Sequence, residues 1–232
     1  MVDKDVEVEL KLVLSPKDLE KVFDVLKDKA NDKGVLKKHR PRSYYDTLAL
    51  SLLNKDSCIR VQFKEGKGFE QTIKMAMDDG DHGNGVLARY EWKDLIPENR
   101  PDVSKIANKT AKKLFNDIAQ DDLYHIFTSD VKRRYFSMPV KDDGKVIGVV
   151  ELAFDLGEIK LAPPYNDVAQ VSEIEVEMKS GDEAAIEKVV KKIKKIAPDA
   201  EISTESKLAV GCKSYVAAVQ SHAKRLKKQK IR

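Results

Sequence analysis

Carboxylates recur at every second position in two segments of the sequence. Glu7 and Glu9 lie near the start of the chain, and Glu173, Glu175 and Glu177 form a similar run. Alternate side chains of an extended strand share one face, so each run places like charges well within a Debye length of each other. A purely structural surface would gain more from interleaved lysines. A divalent cation between the carboxylates would relieve their repulsion, and oxygen-only ligands suit Mg²⁺ or Mn²⁺.

Basic residues are concentrated in other segments, at 59–64, 71–75 and 131–136. These segments carry Arg60, Lys64, Lys74, Lys132, Arg133 and Arg134. Arginine binds phosphate oxygens bidentately, so a basic wall facing an acidic wall predicts a site for a polyphosphate with a divalent metal. The alternative is a charged face in contact with solvent, which is the usual role of polar residues on one side of an antiparallel sheet.

Strands are predicted wherever charged and apolar residues alternate. In residues 6–12 every even position is apolar and every odd position is charged, and the pattern returns at 59–64, 89–93, 150–155 and 173–178. Shorter strands are predicted at 72–75 and 131–136. Turn-forming residues at 79–85 and 142–144 favour antiparallel hairpins. We predict an α+β fold: an eight-stranded antiparallel β-barrel, or tunnel, with a charged interior.

Four helices are predicted to cover the apolar exterior of this barrel. The first begins after Ser15-Pro16, because serine is a favourable N-cap and proline suits the first helical position. Apolar residues at helical spacing predict the others. The predicted ranges are 16–30, 103–119, 181–196 and 205–228.

Length and composition favour one intracellular domain. The chain has 232 residues and contains no apolar run long enough to span a membrane, so a cytoplasmic location is expected. Cys58 and Cys212 lack the spacing of a zinc site or a disulfide framework. Residues 1–220 are predicted to form the domain, and residues 221–232 a basic C-terminal tail.

Several short motifs together resemble the CYTH superfamily of triphosphate tunnel metalloenzymes, which includes class IV adenylate cyclases, thiamine triphosphatases and inorganic triphosphatases. The first is Glu7-x-Glu9-x-Lys11, which is weak alone. The other motifs follow in the family's order over residues 4–216: Tyr44-Tyr45-Asp46-Thr47, Cys58-Ile59-Arg60, Thr72-x-Lys74, Arg89-x-Glu91, Phe127-Thr128-Ser129-Asp130 with Arg133, Phe154-Asp155-x-Gly157-Glu158, Glu173-Ile174-Glu175-Val176-Glu177 and Ser206-Lys207.

The resemblance is greatest to the bacterial inorganic triphosphatase branch, in which a helical CHAD domain often follows. No CHAD domain is present in this sequence, so the chain is expected to be either a stand-alone member or an excised N-terminal domain.

The resemblance also implies roles for individual residues. Catalytic roles are implied for Glu7, Glu9, Lys11 and Glu175. Triphosphate binding is implied for Lys11, Arg60, Lys74, Arg89, Arg133, Arg134 and Lys207. Metal binding is implied for Glu7, Glu9, Glu173, Glu175, Glu177 and Asp155.

Two positions depart from the family pattern. Gln62 lies where a second arginine is usual, two residues after Arg60, which removes one phosphate contact. Cys58 lies where glycine is common, and this change is expected to alter packing more than chemistry.

The predicted activity is metal-dependent hydrolysis of inorganic triphosphate, with Mg²⁺ or Mn²⁺ as cofactor. The alternatives are a class IV adenylate cyclase, a thiamine triphosphatase, or a non-catalytic module that binds polyphosphate or a nucleoside triphosphate. The last alternative is supported by Gln62, because the usual arginine is missing there. The basic tail is interpreted as a solvated charge run rather than a nucleic-acid site. The sequence does not indicate an oligomeric state.

Overall fold

Ten strands form one antiparallel sheet in the computed structural model, which describes residues 5–39 and 41–229, with side chains described as far as Arg225. The strands are β1 (Val6–Val13), β2 (Leu36–His39), β3 (Arg42–Asp46), β4 (Ser57–Lys64), β5 (Gly68–Asp81), β6 (Val86–Ile96), β7 (Tyr124–Asp142), β8 (Lys145–Leu161), β9 (Val168–Gly181) and β10 (Glu201–Ile202).

Eight of these strands close into a ring. The order is β1-β6-β5-β4-β3-β7-β8-β9, and β9 pairs again with β1, while β2 and β10 are added beside β7 and β1. The ring is uneven, since β4 has 8 residues and β7 has 19. The predicted eight-stranded antiparallel tunnel is therefore confirmed, in the form of an irregular ring rather than an even barrel.

The outer face of the ring is apolar, as the alternation predicts. Val8, Leu10 and Leu12 of β1 are buried in a core that also contains the apolar side chains of two helices, α1 (Pro16–Leu26) and α3 (Ala184–Ile196). A second core lies outside β4, β5 and β6, where Ile59, Ile73 and Trp92 are buried. The odd-numbered charged residues of β1 consequently point to the opposite, inner face.

The two outer helices are shorter than predicted at one end each. Ser15 caps α1, because its hydroxyl accepts the N–H of Asp18 at 3.1 Å. A 3₁₀ turn at Lys27–Lys29 replaces the predicted last turn of this helix. At the start of α3, Gly181 adopts φ +99°, and the carboxylate of Asp182 accepts the N–H of Ala184. The helix therefore begins later than residue 181.

The predicted helix at 103–119 is wrong as a continuous element. The segment consists of a 3₁₀ turn at Val103–Lys105 and a short helix, α2 (Lys109–Lys113). Ile106 is extended, and Asn108 caps α2 with its side chain, so the backbone cannot continue as one helix between them. The apolar residues of the segment are nevertheless buried, since Ile106, Ala111 and Ile118 belong to the second outer core.

The last helix, α4 (Lys207–Gln229), does not simply cover the outer surface. Its first turn contacts the interior of the ring, and Leu208 and Cys212 share a core with Tyr44, Phe127 and other residues. The predicted boundary between domain and tail, at residue 220, falls within α4, and this division remains a prediction. Of the predicted tail, the side chains beyond Arg225 and all of residues 230–232 lie outside the described residues.

The predicted turn at 142–144 joins β7 to β8. Asp143 and Gly144 have φ values of +44° and +79°, which is the left-handed pair that a two-residue hairpin turn requires. The β5–β6 hairpin turns at His82–Gly85, within the predicted loop. Among the helices of the described residues, none is long and apolar enough to cross a membrane.

Candidate active site

A cavity of about 70 Å³ lies inside the ring and is lined almost entirely by polar and charged side chains. Seven of the eight ring strands contribute to it, which places the charged faces of the strands around one shared space. The first turn of α4 completes the wall. The lining residues are Glu7, Glu9, Lys11, Arg42, Tyr44, Asp56, Ser57, Cys58, Arg60, Lys74, Arg89, Arg133, Glu175, Ser206, Lys207 and Leu208.

Lys207 lies at the centre of the densest group of ion pairs, which we call the Lys207 cluster: Lys207, Asp155, Glu173, Glu175 and Arg133. The Lys207 ammonium lies 2.9 Å from Asp155 and 2.7 Å from Glu175, and it also contacts Glu173. Arg133 donates two hydrogen bonds of 2.6 Å to Asp155 and one of 2.5 Å to Glu175. Lys11 lies 3.8 Å from Glu173, so three cations face the three carboxylates and the negative charge is balanced within the protein.

The electrostatics of the Lys207 cluster agree with this pairing. Burial alone would lower the pKa of Lys207, but the carboxylates of Asp155, Glu175 and Glu173 more than offset burial and raise it well above its usual range. Burial would raise the pKa of Glu175, and Arg133 and Lys207 instead bring it well below the usual value. Lys207 and Glu175 are therefore both charged at neutral pH.

A second group of ion pairs lies on the other side of the cavity. Lys74 of β5 contacts Glu7 and lies 3.0 Å from Glu91, and Arg60 lies 3.6 Å from Glu91. Burial opposes the charge on Lys74, yet Glu7 and Glu91 raise its pKa. Both groups of ion pairs hold their side chains in place before any ligand binds.

Glu9 differs from the other carboxylates in the cavity, because the described residues provide it with no hydrogen bond or ion pair within contact distance. Burial, followed by the nearby charges of Glu7 and Glu175, raises the pKa of Glu9 to about 7. An acidic side chain that is crowded by acids and lacks a contacting cation is a suitable ligand for a metal ion.

The acidic residues therefore offer two possible sets of metal ligands. Carboxylate oxygens of Asp155, Glu173 and Glu175 lie within 4.8 Å of one another, which is close enough to share an ion. However, Lys207 already contacts all three residues. The second set is Glu9 with Glu7 and Glu175, whose charges act on it. Glu7 and Glu175 contact Lys74 and Lys207, but Glu9 has no contacting cation among the described residues, so it is the oxygen ligand that is free to bind a divalent cation.

Arg42 lines the cavity and was missed by the sequence analysis. Lys11, Arg60, Lys74, Arg133 and Lys207 each contact a carboxylate, whereas Arg42 and Arg89 contact none within the described ranges. Burial, and then the charges of Arg60 and Arg133, lower the pKa of Arg42. The cavity thus contains cations that lack a partner as well as a carboxylate that lacks one.

Ser206 and Leu208 also line the cavity, at the beginning of α4. The Ser206 hydroxyl accepts the N–H of Ala209 at 3.1 Å, so Ser206 is the N-cap of this helix. The positive end of the helix dipole therefore faces the cavity together with Lys207. The Ser206-Lys207 motif and the helix predicted at 205–228 both identified this segment, and α4 begins within two residues of the predicted start.

Arg134 does not belong to the site, contrary to the expectation for triphosphate binding. Its guanidinium donates hydrogen bonds of 2.9 and 2.6 Å to Glu20 of α1 and lies over the ring of Phe23. Arg133 and Arg134 are neighbours on a strand, so they must point to opposite faces, and Arg133 occupies the inner one. Lys132 is likewise exposed.

Glu177 and Glu173 lie beside the cavity rather than in its wall. Glu177 accepts a hydrogen bond of 2.5 Å from Lys179, and burial followed by the charge of Glu7 raises its pKa. Glu173 belongs to the Lys207 cluster, and so does Asp155, whose side chain is 0% exposed. Of the predicted site residues, all except Arg134 are thus gathered in or next to the cavity.

An irregular antiparallel tunnel with an ionic interior and an apolar exterior defines the class of this protein. The CYTH domain profile matches residues 5–211, nearly the whole chain. The chain therefore belongs to the CYTH domain family. The specific relationship to its bacterial branch remains a prediction. No curated protein matches the chain.

Solved structures share the fold. An adenylyl cyclase candidate from Hippeastrum, described as having a dominant triphosphatase activity, is 15% identical, with a TM-score of 0.54 over 89% of this chain and 95% of that one. An adenylate cyclase candidate from Bacillus halodurans is 16% identical, with a TM-score of 0.52 over 88% and 96%. The Mimivirus capping enzyme triphosphatase is 11% identical, with a TM-score of 0.51 over 85% and 91%.

Proposed function

We propose that this protein hydrolyses inorganic triphosphate to diphosphate and phosphate inside the tunnel, with Mg²⁺ or Mn²⁺. The observation that carries the proposal is the placement of unpaired charge. Glu9 on β1 and Arg42 on β3 belong to strands that are four steps apart in either direction around the eight-stranded ring. A metal-bound triphosphate would pair with both groups, because its metal cation would bind the Glu9 carboxylate and its phosphate oxygens would bind the Arg42 guanidinium.

The basic residues of the cavity bind and orient the phosphate chain. Lys11, Arg60, Lys74, Arg89, Arg133 and Lys207 supply positive charge around one small space. They offset negative charge on the phosphoryl oxygens as the bond to the leaving diphosphate breaks. Because the ion pairs hold most of these side chains already, little reorganisation is required when the substrate binds.

The acidic residues hold the metal. Glu7, Glu9 and Glu175 would be its ligands, and Glu173, Asp155 and Glu177 lie close enough to support them. A bound divalent ion supplies charge neutralisation on phosphate oxygens and acidifies a coordinated water. The preference for Mg²⁺ or Mn²⁺ follows from an all-oxygen ligand set.

The lining of the cavity favours an inorganic substrate over a nucleotide. A purine base needs apolar or aromatic surface, and Tyr44 is the aromatic side chain in the wall of this cavity. Tyr44 is 3% exposed, and its ring is stacked on Phe127 with centroids 4.5 Å apart. The described part of the wall therefore offers no free ring surface on which a base could stack.

Product formation from three substrates tests the proposal. Inorganic triphosphate, ATP and thiamine triphosphate would each be incubated with Mg²⁺ or Mn²⁺, and phosphate and cyclic AMP would be measured. We expect release of phosphate from inorganic triphosphate to be fastest, and Glu7→Ala to abolish it, while Glu20→Ala on the outer surface leaves it unchanged. Formation of cyclic AMP would instead support a cyclase, and tight binding without turnover would support a binding module.

A further inference from the structure

We propose that Arg42 binds the phosphate chain and takes the place of the arginine that β4 lacks at Gln62. The inference rests on the proposed function, because it names a further residue that would bind the same substrate. It also concerns one of the two departures of this chain from the family pattern.

The register of the sheet brings the two positions together. Arg42 on β3 and Gln62 on β4 are direct partners in the antiparallel pair. Side chains of such partners begin about 5 Å apart on the same face of a sheet. An arginine at position 42 can therefore place its guanidinium in the space that an arginine at position 62 would reach.

Gln62 is uncharged, and one of the two N–H donors on its amide nitrogen is already used within the sheet. This nitrogen donates a hydrogen bond of 2.9 Å to Glu70. Glu70 also accepts a hydrogen bond of 2.5 Å from the Lys64 ammonium. Glu70 is thus shared by the two β4 side chains on either side of Phe63. A second cation beside Arg60 on this part of the wall would therefore come from another strand.

Arg42 has the positive charge that Gln62 lacks. Its Nε is buried and has no hydrogen-bond partner among the described residues, and its guanidinium contacts no carboxylate there. Burial, and then the charges of Arg60 and Arg133, lower the pKa of Arg42, and the Asp155 carboxylate raises it less strongly. A buried guanidinium among two others is expected to be retained only if an anion binds between them.

Arg134 shows what an arginine with a structural role looks like in the same protein. It forms two hydrogen bonds with Glu20 and stacks on Phe23. Arg42 has no such carboxylate partner within the described part of the chain, and it faces the cavity. The planar fork of donors on Arg42 suits two oxygens of one phosphoryl group.

Three variants test this inference: Arg42→Gln, the exchanged pair Arg42→Gln with Gln62→Arg, and Arg134→Gln as the matched control. Binding of inorganic tripolyphosphate would be measured by calorimetry in EDTA, so that hydrolysis does not interfere. We expect Arg42→Gln to weaken binding by about 10- to 100-fold, which is the range for a charge-assisted hydrogen bond. We expect the exchanged pair to recover most of the affinity and the control to bind as the wild type does.

Thermal unfolding without ligand provides a second readout. Arg42→Gln should keep or raise the melting temperature, because it removes a cation from beside Arg60 and Arg133. Equal affinity in Arg42→Gln and wild type, or a loss of affinity accompanied by a lower melting temperature, would overturn the inference and leave the proposed function intact. A wild-type protein that does not bind tripolyphosphate would overturn both.

Discussion

The Lys207 cluster and Glu9 lie on adjacent parts of the same wall but have opposite electrostatic character. Lys207 and Arg133, with Lys11 beside Glu173, balance the charge of Asp155, Glu173 and Glu175. Glu9 is on the neighbouring strand β1 and is crowded by Glu7 and Glu175, and no cation of the described residues contacts it. The difference suggests that paired charges maintain the shape of the tunnel and unpaired charges bind what enters it.

Replacement of Lys207 by methionine should have the largest effect of all, which is a loss of stability. It would leave Asp155, Glu173 and Glu175 without their shared cation, and removal of one partner of a buried ion pair costs about 3–5 kcal/mol. Urea denaturation would measure the free energy of unfolding. Lys213→Met is the matched control on α4: its side chain is 76% exposed and pairs with Glu205, so we expect a loss of at most about 1 kcal/mol. Similar losses in both variants would contradict the buried role of Lys207.

Replacement of Glu9 by glutamine should reduce activity strongly without reducing stability. We expect metal-dependent phosphate release to fall by more than about 100-fold, since even outer-shell partners of metal ligands cost about 10- to 100-fold. The free energy of unfolding without metal should stay constant or rise, because the substitution removes a carboxylate beside Glu7 and Glu175. Retained turnover together with reduced stability would show that Glu9 is structural.

Gly211→Ala tests how far the Lys207 cluster depends on the position of α4. A Cβ atom at this position would lie 2.3 Å from the ring of Phe127, so the ring or the helix must move. We expect a loss of about 1–3 kcal/mol, the usual cost of overpacking. Ser214→Ala, one turn further along α4, is the control and should change stability by less than about 0.5 kcal/mol. An unchanged melting temperature in Gly211→Ala would mean that α4 can shift freely.

Arg134→Ala should have the smallest effect. Its ion pair with Glu20 is partly exposed, with side chains 25% and 50% accessible, so we expect at most about 1 kcal/mol of stability to be lost. The KM for inorganic triphosphate should not change, because Arg134 lies outside the tunnel. A raised KM in steady-state kinetics would show that Arg134 contributes to substrate binding after all.

Most of the architecture could be predicted from the sequence because burial follows the period of each element. Val8, Leu10 and Leu12 alternate strictly with charged residues, so the outer and inner faces of β1 are unambiguous. The segment 131–136 gives no such signal, since Lys132, Arg133 and Arg134 are consecutive cations. Only the packing of α1, which provides Glu20 and Phe23, determines which of them faces outward.

Arg42 could not be predicted for a different reason. It is the first residue of a five-residue strand that lacks charge alternation, and its significance depends on lying opposite Gln62. The pairing of strands is a property of the folded sheet and cannot be obtained from one sequence. The break in the helix predicted at 103–119 could not be predicted either. The apolar residues keep helical spacing across the break, but Asn108 caps a new helix that begins at Lys109.

The pairing of β1 with β9 also has a consequence for how the protein is made. β1 can pair with β6 early, but Glu9 also lies opposite Glu177, so the second edge of β1 has no partner until most of the chain has left the ribosome. Contacts so distant in sequence form slowly. During synthesis β1 must remain open at one edge, and a nascent chain that stops before β9 has no finished tunnel.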